Sequence, residues 1–129
     1  MIARALAQEP RILLLDEPTS NLDVCYQIEI MNLLKELVER LELTIICAIH
    51  DLNLAARYSD KIILINGGRI KGIGRPVEVL TKENLREVFK IEAKIEYDPD
   101  SKSLTIIPIK TIGRELEKKF ILSKALKRR

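Results

Sequence analysis

The sequence predicts an α/β fold, with parallel core strands and flanking helices first and C-terminal β-hairpins and helices after them. Three observations carry this reading. Residues 12–15 (Ile-Leu-Leu-Leu) and 44–49 (Thr-Ile-Ile-Cys-Ala-Ile) are short apolar runs, and each ends in polar residues that lead into a helix-forming segment. Apolar strand, polar strand end and helix, twice over, is the βαβ pattern of an open parallel sheet, with a right-handed crossover. The second half then changes to pairs of short runs flanking Asn66-Gly67-Gly68 and Asp98-Pro99-Asp100-Ser101, which are hairpin signals.

Taken in order, residues 1–8 read as a helix rich in Ala and Leu, broken at Glu9-Pro10. Residues 12–15 are apolar on both faces, as a parallel strand covered on both sides requires. Asp23 stands where an N-cap belongs. The helix that follows, residues 24–41, places Ile30, Leu34, Leu37 and Leu41 on one stripe. Residues 44–49 form the second strand and end at His50, and Asp51 is placed to cap a short helix over 52–58. A hairpin is expected from 61–65 and 69–73, a turn at Pro76, and a helix over 81–89. A second hairpin is expected from 91–97 and 103–109, then a helix over 115–126 anchored by Leu116, Phe120 and Leu126. There is no internal repeat.

Composition narrows the function classes. The chain has 129 residues, 47% hydrophobic and 32% charged, which suits a folded domain and excludes a disordered one. With no tryptophan and 4% aromatic residues it is poorly equipped to stack on bases, so no nucleic-acid partner is expected. The net charge of +3 comes from the end of the chain, because residues 110–129 hold eight Lys or Arg against two Glu. A solvated helix end explains such a block more readily than a lipid or nucleic-acid contact. Cys25 and Cys47 are far apart with no C-x-x-C, which fits a reducing compartment. No apolar run approaches the ~20 residues of a membrane helix, and residues 1–7 do not read as a signal peptide. Work at a membrane would therefore be peripheral.

Chemistry concentrates where the strands end. Asp16 and Glu17 follow four apolar residues and precede Pro18. An open α/β sheet places its ligands at the carboxyl ends of its strands. Two carboxylates there suit nucleotide hydrolysis: Mg²⁺ takes only one or two carboxylates besides water and phosphate oxygens, and a second group can orient the attacking water. Adjacent acids opening a solvated loop are the ordinary alternative. His50, the single histidine, ends the second strand. A histidine so placed is more often structural than functional, yet with the two strands adjacent it emerges beside Glu17, within reach of a phosphate or its water. One His and two distant Cys do not make a zinc site.

Three motifs in order then resemble one family. Asp16-Glu17-Pro18-Thr19 resembles the Walker B segment of an ATP-binding-cassette (ABC) ATPase, Ser20-Asn21-Leu22-Asp23 its D-loop, and Ala48-Ile49-His50-Asp51-Leu52-Asn53 its H-loop. The resemblance covers roughly residues 1–80 and implies a partial P-loop NTPase (ABC ATPase) fold. It implies that Asp16 holds Mg²⁺ through water, that Glu17 is the general base, and that His50 contacts the γ-phosphate of ATP. It places Ser20, Asn21, Leu22 and Asp23 between two nucleotide-binding subunits. The stretch from His50 to Ile62, and Gly74 to Phe89, looks like the ATPase subunits of importers for iron chelates, haem and cobalamin. The implied partners are membrane permease subunits, a substrate-binding protein and a second ATPase subunit, on the cytoplasmic side of the cell membrane.

The sequence also departs from that pattern. It contains no G-x-x-x-x-G-K-[ST], and Gly67, Gly68, Gly72 and Gly74 form no phosphate cradle. The Ser-Gly-Gly signature is missing too. The expectation is therefore the second half of such a subunit, as a fragment or as a reading frame begun at an internal methionine. Residues 1–90 would be the C-terminal part of a nucleotide-binding domain, and 91–129 an appended hairpin and basic tail. This chain alone is expected to be inactive. A non-catalytic remnant with the same fold and a soluble ABC-type ATPase are the competing readings.

Overall fold

The structure, a computed structural model, describes residues 11–113. The helices expected over 1–8 and 115–126 lie outside the described residues. The chain divides into two compact units, Met1–Tyr58 and Ser59–Arg129.

In the first unit, β1 (Ile12–Asp16) pairs in parallel with β2 (Thr44–Ala48), running from Ile12 opposite Thr44 to Asp16 opposite Ala48. Parallel neighbours need a long crossover because the chain must return along the strand before pairing again. That crossover contains α1 (Val24–Leu41). Asp23 caps it as expected, its carboxylate accepting the Tyr26 amide at 3.2 Å. The helix ends at Glu42, which takes left-handed backbone at φ 52°. Leu13 and Leu15 bury against Met31 and Leu34, with Ile30, Ile45, Cys47, Ile49, Leu54 and Tyr58 packed around them. After β2, α2 (Leu52–Tyr58) starts on Asp51, whose carboxylate accepts the amides of Asn53 at 3.0 Å and Leu54 at 3.1 Å.

Two expectations change here. The stripe of α1 centres on Met31 and Leu34, while Leu41 is exposed. An 18-residue helix spans about 27 Å and a five-residue strand about 17 Å, so the helix outruns the sheet it covers. Among the described residues the sheet is also covered on one face only. Leu13 and Leu15 are buried, but Ile12 and Leu14 are 59% and 72% exposed, and Ile46 on β2 is exposed with them. The period-two alternation of a strand turns these residues away from α1.

The second unit closes on itself with antiparallel pairs. β3 (Ile62–Asn66) and β4 (Arg69–Gly74) make the expected hairpin, and Gly67 and Gly68 both hold the positive φ, 58° and 75°, that a two-residue turn with the right twist needs. Where the sequence suggests only a turn at Pro76, the chain makes a one-turn helix, α3 (Pro76–Val79). Proline presets its first φ. The Glu78 carboxylate accepts from the Arg75 amide at 3.0 Å and from Arg75 Nε at 2.9 Å. α4 (Lys82–Phe89) is capped by Thr81, whose hydroxyl accepts the Asn84 amide at 3.2 Å. β5 (Ile91–Asp98) and β6 (Ser103–Thr111) form the second hairpin. Its turn is held by Asp98, which accepts from the Asp100 amide at 3.1 Å and the Ser101 hydroxyl at 2.9 Å. α3 packs on β3 and β4, and α4 on β5. Leu64, Val79, Leu80, Leu85, Ala93 and Ile106 are buried, Leu85 completely.

Candidate active site

The site forms where β1 and β2 end side by side. Their register aligns Asp16 with Ala48, so the residues leaving both strands share one edge. Asp16 is the last residue of β1 and is exposed. Glu17 leaves the strand with a left-handed backbone, φ 46°, a conformation that costs a non-glycine residue energy. Two hydrogen bonds hold it there. Its amide donates to the Ala48 carbonyl at 2.9 Å, and its own carbonyl accepts the Ser20 amide at 3.1 Å. The effect is to swing the Glu17 side chain toward the end of β2.

His50 meets it there. His50 Nε2 contacts Glu17 Oε1, with the imidazole 90% exposed and the carboxylate side chain 35% exposed. The contact assigns the proton to Nε2, as donor to the carboxylate. Two residues 33 positions apart in sequence are thus paired by the parallel register alone. An imidazole beside a carboxylate, open to solvent on one side, can hold a hydrogen-bonded water or an anionic oxygen and move a proton between them.

The loop after Glu17 is tightly wound. Leu22 donates its amide to the Thr19 carbonyl at 3.3 Å, and Asn21 takes a positive φ of 64°. Thr19 is buried, whereas Ser20, Asn21, Leu22 and Asp23 are exposed. Asp23 is committed to the α1 cap. The structure therefore unites Asp16, Glu17 and His50 at one edge and presents Ser20 to Leu22 beside them. The sequence offered no sign of the Ala48 carbonyl as the anchor of Glu17, because a backbone acceptor has no signature in residue type. Thr19 lies inside the motif, but only its burial marks it as structural.

As a metal site, the edge offers the exposed Asp16 carboxylate next to Glu17. No group of three or more His, Cys, Asp or Glu able to hold a metal occurs among the described residues. That donor set fits a hydrated Mg²⁺ held mostly by water and phosphate, not an ion that needs a full protein cage. The site is an open edge. A cavity of about 250 Å³ in the second unit, lined by Lys82, Arg86, Glu92, Ala93, Lys94 and Ile109, includes none of these residues. No helix among the described residues is long and apolar enough to cross a membrane.

Comparison with known proteins bears on the family and the fold. No family model matches the chain. The cobalamin import ATP-binding protein BtuD of Halobacterium salinarum is 39% identical over 109 residues, covering 84% of this chain and 27% of that protein. The petrobactin import ATP-binding protein FpuD of Bacillus anthracis is 48% identical over 98 residues, covering 76% of this chain and 36% of that protein. Among solved structures, an inward-facing putative metal-chelate type ABC transporter matches with a TM-score of 0.74 at 32% identity, over 84% of this chain and 44% of that one. A dimeric ATP-binding cassette in a post-hydrolysis state with ADP and Pi matches with a TM-score of 0.54 at 40% identity, over 58% of this chain and 32% of that one.

The fold is a partial ABC ATPase fold of the P-loop NTPase class. By sequence and by structure, the chain belongs with the ATP-binding subunits of ABC transporters over the stretch it spans, and its curated relatives serve importers of cobalamin and siderophores. The chain spans about a quarter to a third of the length of those two relatives.

Proposed function

We propose that this chain is the hydrolytic part of the ATP-binding subunit of an ABC importer of the iron-chelate, haem or cobalamin type. The observation that carries the reading is the Glu17–His50 pair at the shared ends of two parallel strands. In this reading Glu17 Oε takes the proton of the water whose oxygen bonds to the γ-phosphorus of ATP, as the bond from that phosphorus to the β–γ bridging oxygen breaks and ADP leaves. His50 Nε2–H turns from Glu17 to a γ-phosphate oxygen and helps hold the water between them. Asp16 orients the water shell of Mg²⁺, which when bound with the nucleotide neutralises phosphate charge. Ser20, Asn21, Leu22 and Asp23 face a second ATPase subunit. The working assembly is a homodimer on the cytoplasmic face of the membrane, beneath permease subunits and fed by a substrate-binding protein. Residues 1–90 form the nucleotide-binding part and 91–129 an appended hairpin and basic tail. A match of 109 residues is too long for residues 1–90, so that hairpin region is shared in part with a relative.

The phosphate cradle is not in this sequence, since no G-x-x-x-x-G-K-[ST] occurs in it. Residues 1–129 alone are therefore expected to show no saturable ATP binding by calorimetry, and micromolar binding would overturn that division of labour. The catalytic roles are tested by joining the chain to the Walker A-bearing portion of the petrobactin importer subunit, 48% identical to it. In that chimera Glu17→Gln should keep ATP binding and lose turnover by about 10²–10⁴-fold. Turnover unchanged by Glu17→Gln would remove Glu17 from the role of base, and a parent chimera that binds ATP without turnover would favour the second reading, an interaction module with this fold and no chemistry.

A further inference from the structure

The cavity of about 250 Å³ in the second unit carries charges that the local fold does not call for. It is built by α4, β5 and β6, and its lining holds three cations, Lys82, Arg86 and Lys94, against one acid, Glu92. Lys82 and Arg86 stand four apart on α4, so they share one helix face. Like charges at that spacing destabilise a helix. Lys82 is also the first residue of α4, where the helix dipole disfavours a cation. Glu83 supplies the acid that a helix start favours, but it does not line the cavity. Glu87 turns to Lys71, 2.6 Å away. The acid that does line the cavity is already shared. Glu92 Oε1 accepts from Arg86 Nη1 at 2.8 Å, and its Oε2 lies 3.4 Å from Lys110 Nζ. Lys94 pairs with Glu96 at 2.8 Å. The Lys82 ammonium has no partner among the described residues. With these partners included, four cations meet two carboxylates, and positive charge is left over beside an open volume. Departures from local rules of this kind collect at functional sites.

We propose that this cavity binds a phosphate group, held by Lys82 and Arg86 with Lys94 beside them. The bond from Nη1 to Glu92 orients the Arg86 guanidinium and leaves its remaining N–H groups for a second planar acceptor. A doubly charged oxyanion can accept from that fork and from the Lys82 ammonium together. It would also relieve the repulsion between the two cations on α4. Ala93 and Ile109 give the cavity an apolar wall. Pockets for larger organic ligands run upward from about 300 Å³, so the volume suits a single phosphate: inorganic phosphate, or the phosphomonoester of a lipid headgroup. Both sources present the same chemistry to the same cations. Arg86 is 53% exposed, so salt screens the contacts and the dissociation constant should be on the order of 1 mM. Asp16, Glu17 and His50 do not line the cavity, so this binding is separate from hydrolysis.

The test titrates inorganic phosphate into the ¹⁵N-labelled full chain at constant ionic strength, with chloride as the reference anion. Saturable amide shifts should appear at residues 82–94 and 107–110. Lys82→Gln removes an exposed side chain that has no partner, so it should keep the circular dichroism of the parent. It should weaken phosphate binding about tenfold, the loss of one charge-assisted contact. Lys102→Gln removes the same charge at the turn between β5 and β6 and should leave binding unchanged. In a second arm the chain is floated with phosphatidylcholine vesicles, with and without phosphatidic acid. Flotation that needs phosphatidic acid, survives Lys102→Gln and is lost in Lys82→Gln assigns the site to a lipid headgroup. Saturation by inorganic phosphate without such flotation assigns it to the free anion. Neither saturation nor flotation, shifts confined to other residues, or equal losses in the two variants would overturn the proposal.

Discussion

The two compact units bury their apolar residues in different ways. The unit after Tyr58 is made of hairpins with short helices laid on them, and Leu85, Val79, Leu80 and Ile106 are all but sealed from solvent. Antiparallel strands pair with their immediate neighbours in sequence, so a core forms from local pieces. The unit before Ser59 rests on a parallel pair, which calls for cover on both faces. Among the described residues one face has that cover and the other does not. The Tyr58 hydroxyl there is buried without a hydrogen-bond partner among the described residues, a loss worth about 1–3 kcal/mol. The lesson is a division between stability and chemistry. The candidate active site sits on the unit whose sheet is half covered, because strand ends that converge on a ligand come from parallel strands.

The comparison can be broken most directly at Leu85. Leu85→Ala removes a fully buried side chain and should cost about 2–5 kcal/mol in urea unfolding followed by a probe on residues 59–113. Leu14→Ala on the bare face should stay within about 0.5 kcal/mol. Equal costs would mean that Leu14 is covered in solution and that the contrast is false. Next in size, Asp23→Ala removes the α1 cap and should destabilise by about 1 kcal/mol, read as a lowered midpoint and fraying at Val24 to Gln27 in hydrogen exchange.

Thiol labelling sharpens the picture inside the first unit. Cys25 is exposed, whereas partial burial of Cys47 pushes its thiol pKa up. At pH 8 Cys25 should react with iodoacetamide about tenfold faster, since the thiolate is the reactive form. Equal rates would show that the α1 side of the sheet opens readily. The smallest effect is at α3. The side-chain hydrogen bond from Arg75, with the Arg75 amide and its charge behind it, holds the Glu78 pKa below the ordinary 4.5. A depressed carboxylate pKa stabilises the fold above the unfolded value, and that contribution is lost as pH falls through the folded value. The carboxyl carbon of Glu78 should thus titrate below pH 4.5 in an NMR series, and Arg75→Ala should bring it back. The exposed setting keeps any change in unfolding midpoint small.

The sequence by itself determined most of the described elements and two of the helix caps. Asp23 and Asp51 each start a helix where a capping side chain was expected, and Gly67-Gly68 turns the hairpin it predicts, while Thr81, expected as the first residue of its helix, caps it instead. These are short-range effects, set by which side chains can satisfy a free amide or tolerate a positive φ. Asp16, Glu17 and His50 were legible as strand-end polar residues for the same local reason. That His50 emerges beside Glu17 was legible only on the condition that the two strands are neighbours, and that condition, with its register, was settled by the tertiary structure. The left-handed turn at Glu17 held by the Ala48 carbonyl, the choice of Met31 over Leu41 for the buried stripe, and the bare side of Leu14 were not legible. Each of these depends on partners far along the chain, and residue type alone does not say which partner a backbone carbonyl or an apolar face will meet.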